Sequence, residues 1–458
     1  MGIIEKYSRL IIRKIDGSPG AAERMIRIGL KYEDLRLRAT KKRGKIPVAL
    51  NILNRLAIRS VADALAHPEK TVWANIFAPT ELLTVFGLKP LSIECFAAFM
   101  GGFKTEDHFL RRAEAIGMSD TLCSYHKCFI GAADSGVMRR PLMSLTTTLA
   151  CDANVNTFRY LEKRLGVESF VIDTPFEYTD ESLRYVSGQL CSLISRLEEV
   201  SGRRFDEDAL KAALARENEA RALQEEAFAL QAAKIYPTSL TLHLFKLFAT
   251  HVLCGSEGVL GYYRALVEDL KSYPDAEGAD KVNILWAQLM PYYQETLKNC
   301  LGGDGPYHIV AKDFDFDYGF GSRLDTGRPI EALAKKILLN PYNGPFRRRI
   351  EAALEMARLL NVEGAIMFCH WGCKQSAGGA LEMKSAFDEA GIPLLILDGD
   401  GIDKRNDAPG QIKTRAEAFF EMLAAGRRDP GDTGTGSTGG PAPLNGSARR
   451  GAKEEGRR

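Results

Sequence analysis

At 458 residues the chain exceeds what one hydrophobic core usually serves, so two or three domains are expected. Its 45% hydrophobic and 26% charged residues are those of an ordinary soluble globular protein, and Lys+Arg 61 against Asp+Glu 59 leaves a formal net charge of +2, no field to draw in nucleic acid. A membrane is equally unsupported: the start, Met1-Gly-Ile-Ile-Glu-Lys-Tyr, lacks the apolar stretch of a signal peptide, and the most apolar helical run, Thr238 to Leu253, carries His243, Lys246 and His251.

In chain order, residues 1 to about 70 read as a basic helical region, with Ile11, Ile12, Met25, Ile26 and Leu30 at roughly helical spacing and a solvated Lys41-Lys42-Arg43 turn. From Val72 the texture changes to β-α-β. Val72 to Ala78 predicts a buried strand, Pro79-Thr-Glu81 a helix start, Gly87 its end, and Pro90 to Cys95 the next strand. Leu142 to Leu149 and Ser169 to Asp173 continue the pattern, separated by a helix from about Val155. Residues 71–180 thus form a first α/β lobe, and strands each followed by a helix imply a parallel sheet covered on both faces. Residues 181–278 are helical, interrupted at Pro237. A second α/β lobe, 279–426, has strands at Val282–Ala287, His308–Ala311, Ala365–Phe368 and Pro393–Leu397 and helices at 291–299, 346–360, 381–390 and 412–423. Residues 427–458, rich in Gly, Ser, Thr, Pro and charge, predict a disordered tail. The fold class is therefore α/β: two Rossmann- or flavodoxin-like parallel-sheet lobes with a helical N-terminal region and a helical connecting segment.

Nine cysteines without a signal peptide point to a reducing cytoplasm, where thiols serve metals or redox chemistry. Three of them fall where a helix begins. Cys123 opens Cys-Ser-Tyr-His126-Lys-Cys128-Phe-Ile-Gly131, Cys151 ends a strand before Asp152, and Cys373 ends the stretch Gly364-Ala-Ile-Met-Phe-Cys369-His370-Trp-Gly372-Cys373. Strand ends of α/β proteins collect ligands, and the free amides of a helix N-terminus favour negative charge. Widely spaced single thiols suit a cofactor clamped between lobes, and soft ligands without a paired CxxC favour iron-sulfur over structural zinc. His126 and His370 adjoin these thiols and can donate to sulfur or move a proton, although a histidine beside a core strand is more often structural. Asp313, Asp315, Asp317, Asp398 and Asp400 read as polar residues of strands or caps rather than a magnesium site. Cys128 is a spare ligand, and Cys95, Cys191, Cys254 and Cys300 read as buried residues.

One set of motifs resembles a known family. Pro79-Thr-Glu81-Leu-Leu-Thr-Val-Phe-Gly87-Leu-Lys-Pro90, Cys123 to Gly131, Cys151-Asp152, Cys373, Gly391-Ile-Pro-Leu-Leu-Ile-Leu-Asp398 and Gly410-Gln411 to Leu423 occur together in the order found in subunits of the 2-hydroxyacyl-CoA dehydratase and benzoyl-CoA reductase family. The chain departs from it at Trp371-Gly-Cys-Lys374, where the family commonly has Phe-Cys-Asp. The resemblance implies a [4Fe-4S] cluster held by Cys123, Cys151 and Cys373, with Cys369 in reserve as a metal ligand, and one iron left open. It further implies a cytoplasmic hydro-lyase of anaerobic metabolism that removes water from a (R)-2-hydroxyacyl-CoA thioester through a ketyl radical. Its partners would be a second dehydratase-type subunit in a heterodimer and an ATP-dependent iron-sulfur activator that supplies the electron. The alternatives are an ATP-driven low-potential reductase, of the benzoyl-CoA reductase or double-cubane-cluster type, and a non-catalytic electron-relay or scaffold subunit.

Overall fold

The computed structural model describes residues 2–41, 46–276, 281–291, 293–301 and 305–428. Lys42 and Arg43 of the basic turn and residues 429–458 of the expected tail lie outside them. Two four-stranded sheets, both wholly parallel, organise the chain. The first contains β1 (Thr71–Ala74), β2 (Lys89–Ser92), β3 (Met143–Thr147) and β4 (Ser169–Ile172) in the order β2-β1-β3-β4. The second contains β5 (Val282–Ala287), β6 (Tyr307–Lys312), β7 (Gly364–His370) and β8 (Leu394–Gly399) in the order β6-β5-β7-β8. β1, β3, β5 and β7 are buried at every residue, which is why they read as unbroken apolar or small-residue runs. The expected pair of parallel-sheet lobes is therefore present. In each sheet the chain reverses its direction of winding between the two central strands, β1/β3 and β5/β7, and the crevice beyond their C-terminal ends is where such sheets bind ligands.

Helices Ile3–Ile15, Pro19–Lys41 and Val48–Ala66 precede the first sheet. Asp180–Ser201, Glu207–Ala233, Leu240–Leu247 and Glu257–Ser272 connect the sheets, and a π-helical turn, Phe248–Val252, extends the third of these. Thr179, Asp206, Ser239 and Ser256 cap the four connecting helices by accepting from the third amide onward. Leu53 of the N-terminal helices packs with Tyr262 and Leu266, tying the two helical regions together, while Leu333 and Ile337 of helix Pro329–Leu338 pack into the core of the first sheet.

Two local expectations are corrected. Ile93 to Cys95, read as the end of a strand, opens helix Ile93–Gly102, because Ser92 Oγ accepts from Cys95 N at 3.3 Å and stops the strand there. The helix expected from Pro291 begins only at Glu295. Helices Glu106–Ala115 and Ser124–Asp134, between β2 and β3, pack so closely that a Cβ on Gly131 would stand 1.9 Å from Phe109 O.

Candidate functional site: three thiols at the seam of two sheets

Cys123, Cys151 and Cys373 each occupy the N-cap position of a helix: Ser124–Asp134, Asp152–Leu165 and the short Lys374–Ala377. Cys151 follows β3 and Cys373 follows β7, so two of the thiols lie at the two crevice positions of the fold. The two lobes touch here. Gly372 has φ +74°, and a Cβ on it would lie 2.6 Å from Thr121 O and 2.8 Å from Cys123 N, so only glycine lets the Cys373 turn rest on the Cys123 turn. All three cysteines are free thiols; Cys123 is buried and the other two are half-buried. Burial, then the proximity of Cys373 and Cys151, pushes the Cys123 thiol far above its ordinary value. Burial and Cys373 together push Cys151 up to about 12. The three sulfurs are thus electrostatic neighbours.

The remaining thiols are placed differently. Cys369 donates to Ser376 O at 3.6 Å, and burial raises it to about 11. Cys128 is fully buried inside its helix packing, as are Cys95 and Cys254 in theirs. Cys191 is exposed and Cys300 only half-buried, against the core of the second sheet, contrary to expectation.

Both histidines reach the thiols. His370 Nε2 lies 3.2 Å from Cys123 Sγ, and His370 Nδ1 accepts from Gly401 N at 3.0 Å. His126 Nε2 lies 3.9 Å from Cys151 Sγ, with Thr157 Oγ1 at 2.9 Å from Nδ1. Burial lowers both rings, His126 to about 3, so both are neutral. Asp400 fixes the loop after β8: its Oδ1 accepts from Ser124 Oγ at 2.5 Å and from the amides of Ile402 and Asp403, and its Oδ2 from Asn406 at 3.0 Å. The bond to Ser124 crosses from one lobe to the other, beside Cys123. Arg349, buried, pairs with Asp313 Oδ2 at 2.6 Å and donates to Gln375 O at 2.8 Å, steadying the helix that Cys373 caps.

A narrow crevice opens at the end of β1, lined by apolar Ile76, Phe77, Leu149, Leu333 and Ile337 on one side and by Glu81, Asp317 and Lys336 on the other, with His251 also in its lining. Leu149 precedes Cys151 by two positions, so the crevice lies on the Cys151 side of the first sheet. His251 sits in the π-helical turn, a form frequent at functional sites. Thr250 Oγ1, which donates to Lys246 O, accepts from His251 Nδ1 at 2.7 Å, leaving Nε2 as the unprotonated nitrogen of a ring that burial lowers to about 4. Glu94, at the end of β2, is raised to about 7 by burial. Sequence reading missed both: a single His or Glu in an apolar run carries no signal until the fold sets it beside a cavity or a thiol. Glu81, Glu217 and Cys254 bring their ligand atoms within 4.8 Å of one another, but Lys336 Nζ stands 2.5 Å from Glu81 Oε1, 2.8 Å from Glu217 Oε1 and 2.8 Å from Asp317 Oδ2. An ammonium already fills the place of a cation there.

The fold and the site define a two-lobed α/β protein with a thiol centre at the seam. Residues 75–423 match the sequence pattern of the family described as 2-hydroxyglutaryl-CoA dehydratase, D-component, and the chain belongs to that family. It is 23% identical over 382 residues to the (R)-phenyllactyl-CoA dehydratase alpha subunit of Clostridium sporogenes, covering 79% of this chain and 92% of that one. It is 24% identical over 405 residues to the alpha subunit of the lactoyl-CoA dehydratase of Anaerotignum propionicum (81% and 94%). Against one of the benzoyl-CoA reductase subunits of Thauera aromatica it is 24% identical over 392 residues (78% and 89%). The family read from the ordered motifs is thereby borne out. None of the helices among the described residues is long and apolar enough to cross a membrane.

Proposed function

We propose that the chain is the iron-sulfur subunit of a 2-hydroxyacyl-CoA dehydratase-type hydro-lyase, with Cys123, Cys151 and Cys373 holding a [4Fe-4S] cluster. The observation that carries this is the convergence of three free thiols, from three helix N-termini and both lobes, in a chain whose relatives are named as acyl-CoA dehydratase alpha subunits. The donor set fits the group. Burial and the neighbouring sulfurs disfavour bare thiolates at Cys123 and Cys151, soft sulfur suits iron, and with Cys369 turned to Ser376 O the three thiols leave one iron open.

Held there by Cys123, Cys151 and Cys373, such a cluster would supply one-electron chemistry and an open coordination position for the substrate oxygen, the electron being returned when water has left. The chain's own residues do the rest. The crevice lined by Ile76, Phe77, Leu149, Leu333 and Ile337 would have to widen to take the acyl end of a CoA thioester, with Glu81, Asp317 and Lys336 forming its polar side. Neutral His251 and Glu94, the latter titrating near neutrality, are groups able to accept a proton beside that pocket. His126 and His370 stay neutral against the thiols. The electron is brought by an ATP-dependent iron-sulfur activator, and a second dehydratase-type subunit completes a cytoplasmic heterodimer, in keeping with relatives named as alpha subunits.

Anaerobic purification tests the reading: the chain carries iron and acid-labile sulfide, Cys123→Ser, Cys151→Ser and Cys373→Ser each lose most of it, and Cys369→Ser keeps it. Iron-free protein, or iron indifferent to all three changes, sinks the proposal. The similarity to a benzoyl-CoA reductase favours a second reading, reduction of an acyl-CoA by the same centre. Incubation with activator, ATP and a 2-hydroxyacyl-CoA separates the two, since a dehydratase consumes no net electrons and a reductase does. Cluster content without turnover of either substrate class identifies an electron-relay subunit.

A further inference from the structure

We infer that His370 is a fixed hydrogen-bond donor to the Cys123 sulfur across the lobe seam and that this bond sets the reduction potential of the centre; the inference rests on the cluster reading above. The proton is assigned by the backbone. Gly401 N–H points at His370 Nδ1 at 3.0 Å, so Nδ1 is the acceptor, and a neutral imidazole then carries its hydrogen on Nε2. That nitrogen stands 3.2 Å from Cys123 Sγ. The other tautomer would point Nδ1–H against Gly401 N–H and find only Asp400 Oδ1 at 3.6 Å, an oxygen already accepting from Ser124 Oγ, from Ile402 N at 2.8 Å and from Asp403 N at 2.9 Å, while Oδ2 accepts from Asn406 Nδ2 at 3.0 Å. A Cβ on Gly401 would lie 2.5 Å from the Tyr125 hydroxyl, and the Tyr125 ring packs edge-on against His370 at 5.2 Å. His370 comes from β7 of the second lobe and Cys123 from the first, so the donor and the ligand keep their distance only while the lobes are docked.

An N–H aimed at a ligand sulfur draws charge from it and favours the reduced cluster, which carries one more electron. The two histidines are unequal in this. His126 lies 3.9 Å from Cys151 Sγ, and Thr157 Oγ1 can either donate to or accept from its Nδ1, so nothing commits its proton to the sulfur. His370 is therefore a positioning and tuning residue.

Two measurements decide it. In cluster-free protein carrying ¹⁵N-labelled histidine, with the signal identified by its loss in His370→Gln, NMR finds His370 neutral with hydrogen on Nε2; a hydrogen on Nδ1 overturns the inference. In anaerobically reconstituted protein, EPR-monitored titration of His370→Ala lowers the reduced-to-oxidised ratio at a fixed potential about tenfold, which is 59 mV for one electron. His370→Gln, which keeps an N–H donor, restores most of that ratio, and His126→Ala changes it less. A His370→Ala protein with wild-type iron content and the wild-type ratio overturns the inference and leaves the cluster standing. A wild-type chain that binds no iron removes the cluster reading and this inference together.

Discussion

Arg349 and Asp313 are both almost wholly buried, joined by two hydrogen bonds at 2.6 and 2.8 Å, and Arg349 stacks on Tyr342 at 4.5 Å. Removing one partner strands the other charge in a dry interior. Arg349→Met is expected to lower unfolding free energy by about 3–5 kcal/mol in denaturant titrations, and Arg349→Met/Asp313→Leu by less than either change alone. Glu94 gives a pH signature. Burial raises its carboxyl to about 7, against about 4.5 unfolded, so between those values the unfolded chain has released a proton that the native chain retains. Stability from this group therefore falls as pH rises from about 4.5 to 7, by at most about 1.4 kcal/mol per pH unit, and Glu94→Gln flattens the profile over that window. The thiols were legible because cysteines at the ends of apolar runs are rare and informative. Asp313 was legible only as polar: its partner lies in a helix packed against it by the fold, and nothing local in the sequence marks the pair.

Elements follow the same division. Strands β1, β3, β5 and β7 announced themselves as short buried apolar runs, and Gly87 and Pro79 bracketed the helix that follows β1. Ile93-Glu-Cys95 did not, because apolar residues after a strand continue it or begin a helix equally well, and the hydrogen bond from Cys95 N to Ser92 decides. Gly372 shows what an element junction can require. An alanine there would need φ near +74° and would press its Cβ against Thr121 O and Cys123 N, with no flexible side chain to give way. Gly372→Ala is expected to cost about 1–3 kcal/mol by chemical denaturation and to reduce iron binding after reconstitution more than Gly410→Ala, where a Cβ meets nothing within 4 Å. Sequence marked Trp371-Gly372 as a departure from related chains; only the fold explains it as a contact.

Across the whole molecule, Lys336 gathers Glu81 of the first lobe, Glu217 of the connecting helices and Asp317 of the loop after β6, and Arg221 joins Asp317 at 2.9 Å. Three regions distant in sequence share one buried ammonium. Lys336→Met leaves three carboxylates facing one arginine, and a loss of about 3–5 kcal/mol is expected, read as a lower denaturation midpoint. The two sheets were legible in the sequence from their alternation. This knot, and the packing of helix Pro329–Leu338 into the first sheet's core, were not, since periodicity reports a residue's own helix and never the one it meets.

The seating of the Cys373 turn on the Cys123 turn makes the proposed cluster a rivet. Iron bound there would hold one lobe to the other, and its binding free energy would also be the free energy of closure. Oxygen damage to such a centre would then be mechanical as well as chemical: the seam slackens, the Asp400 to Ser124 bond opens, and amides of residues 120–126 and 370–376 exchange faster. Hydrogen exchange before and after air exposure reads this directly, and equal protection of both segments in the two states would show that the lobes hold without the metal.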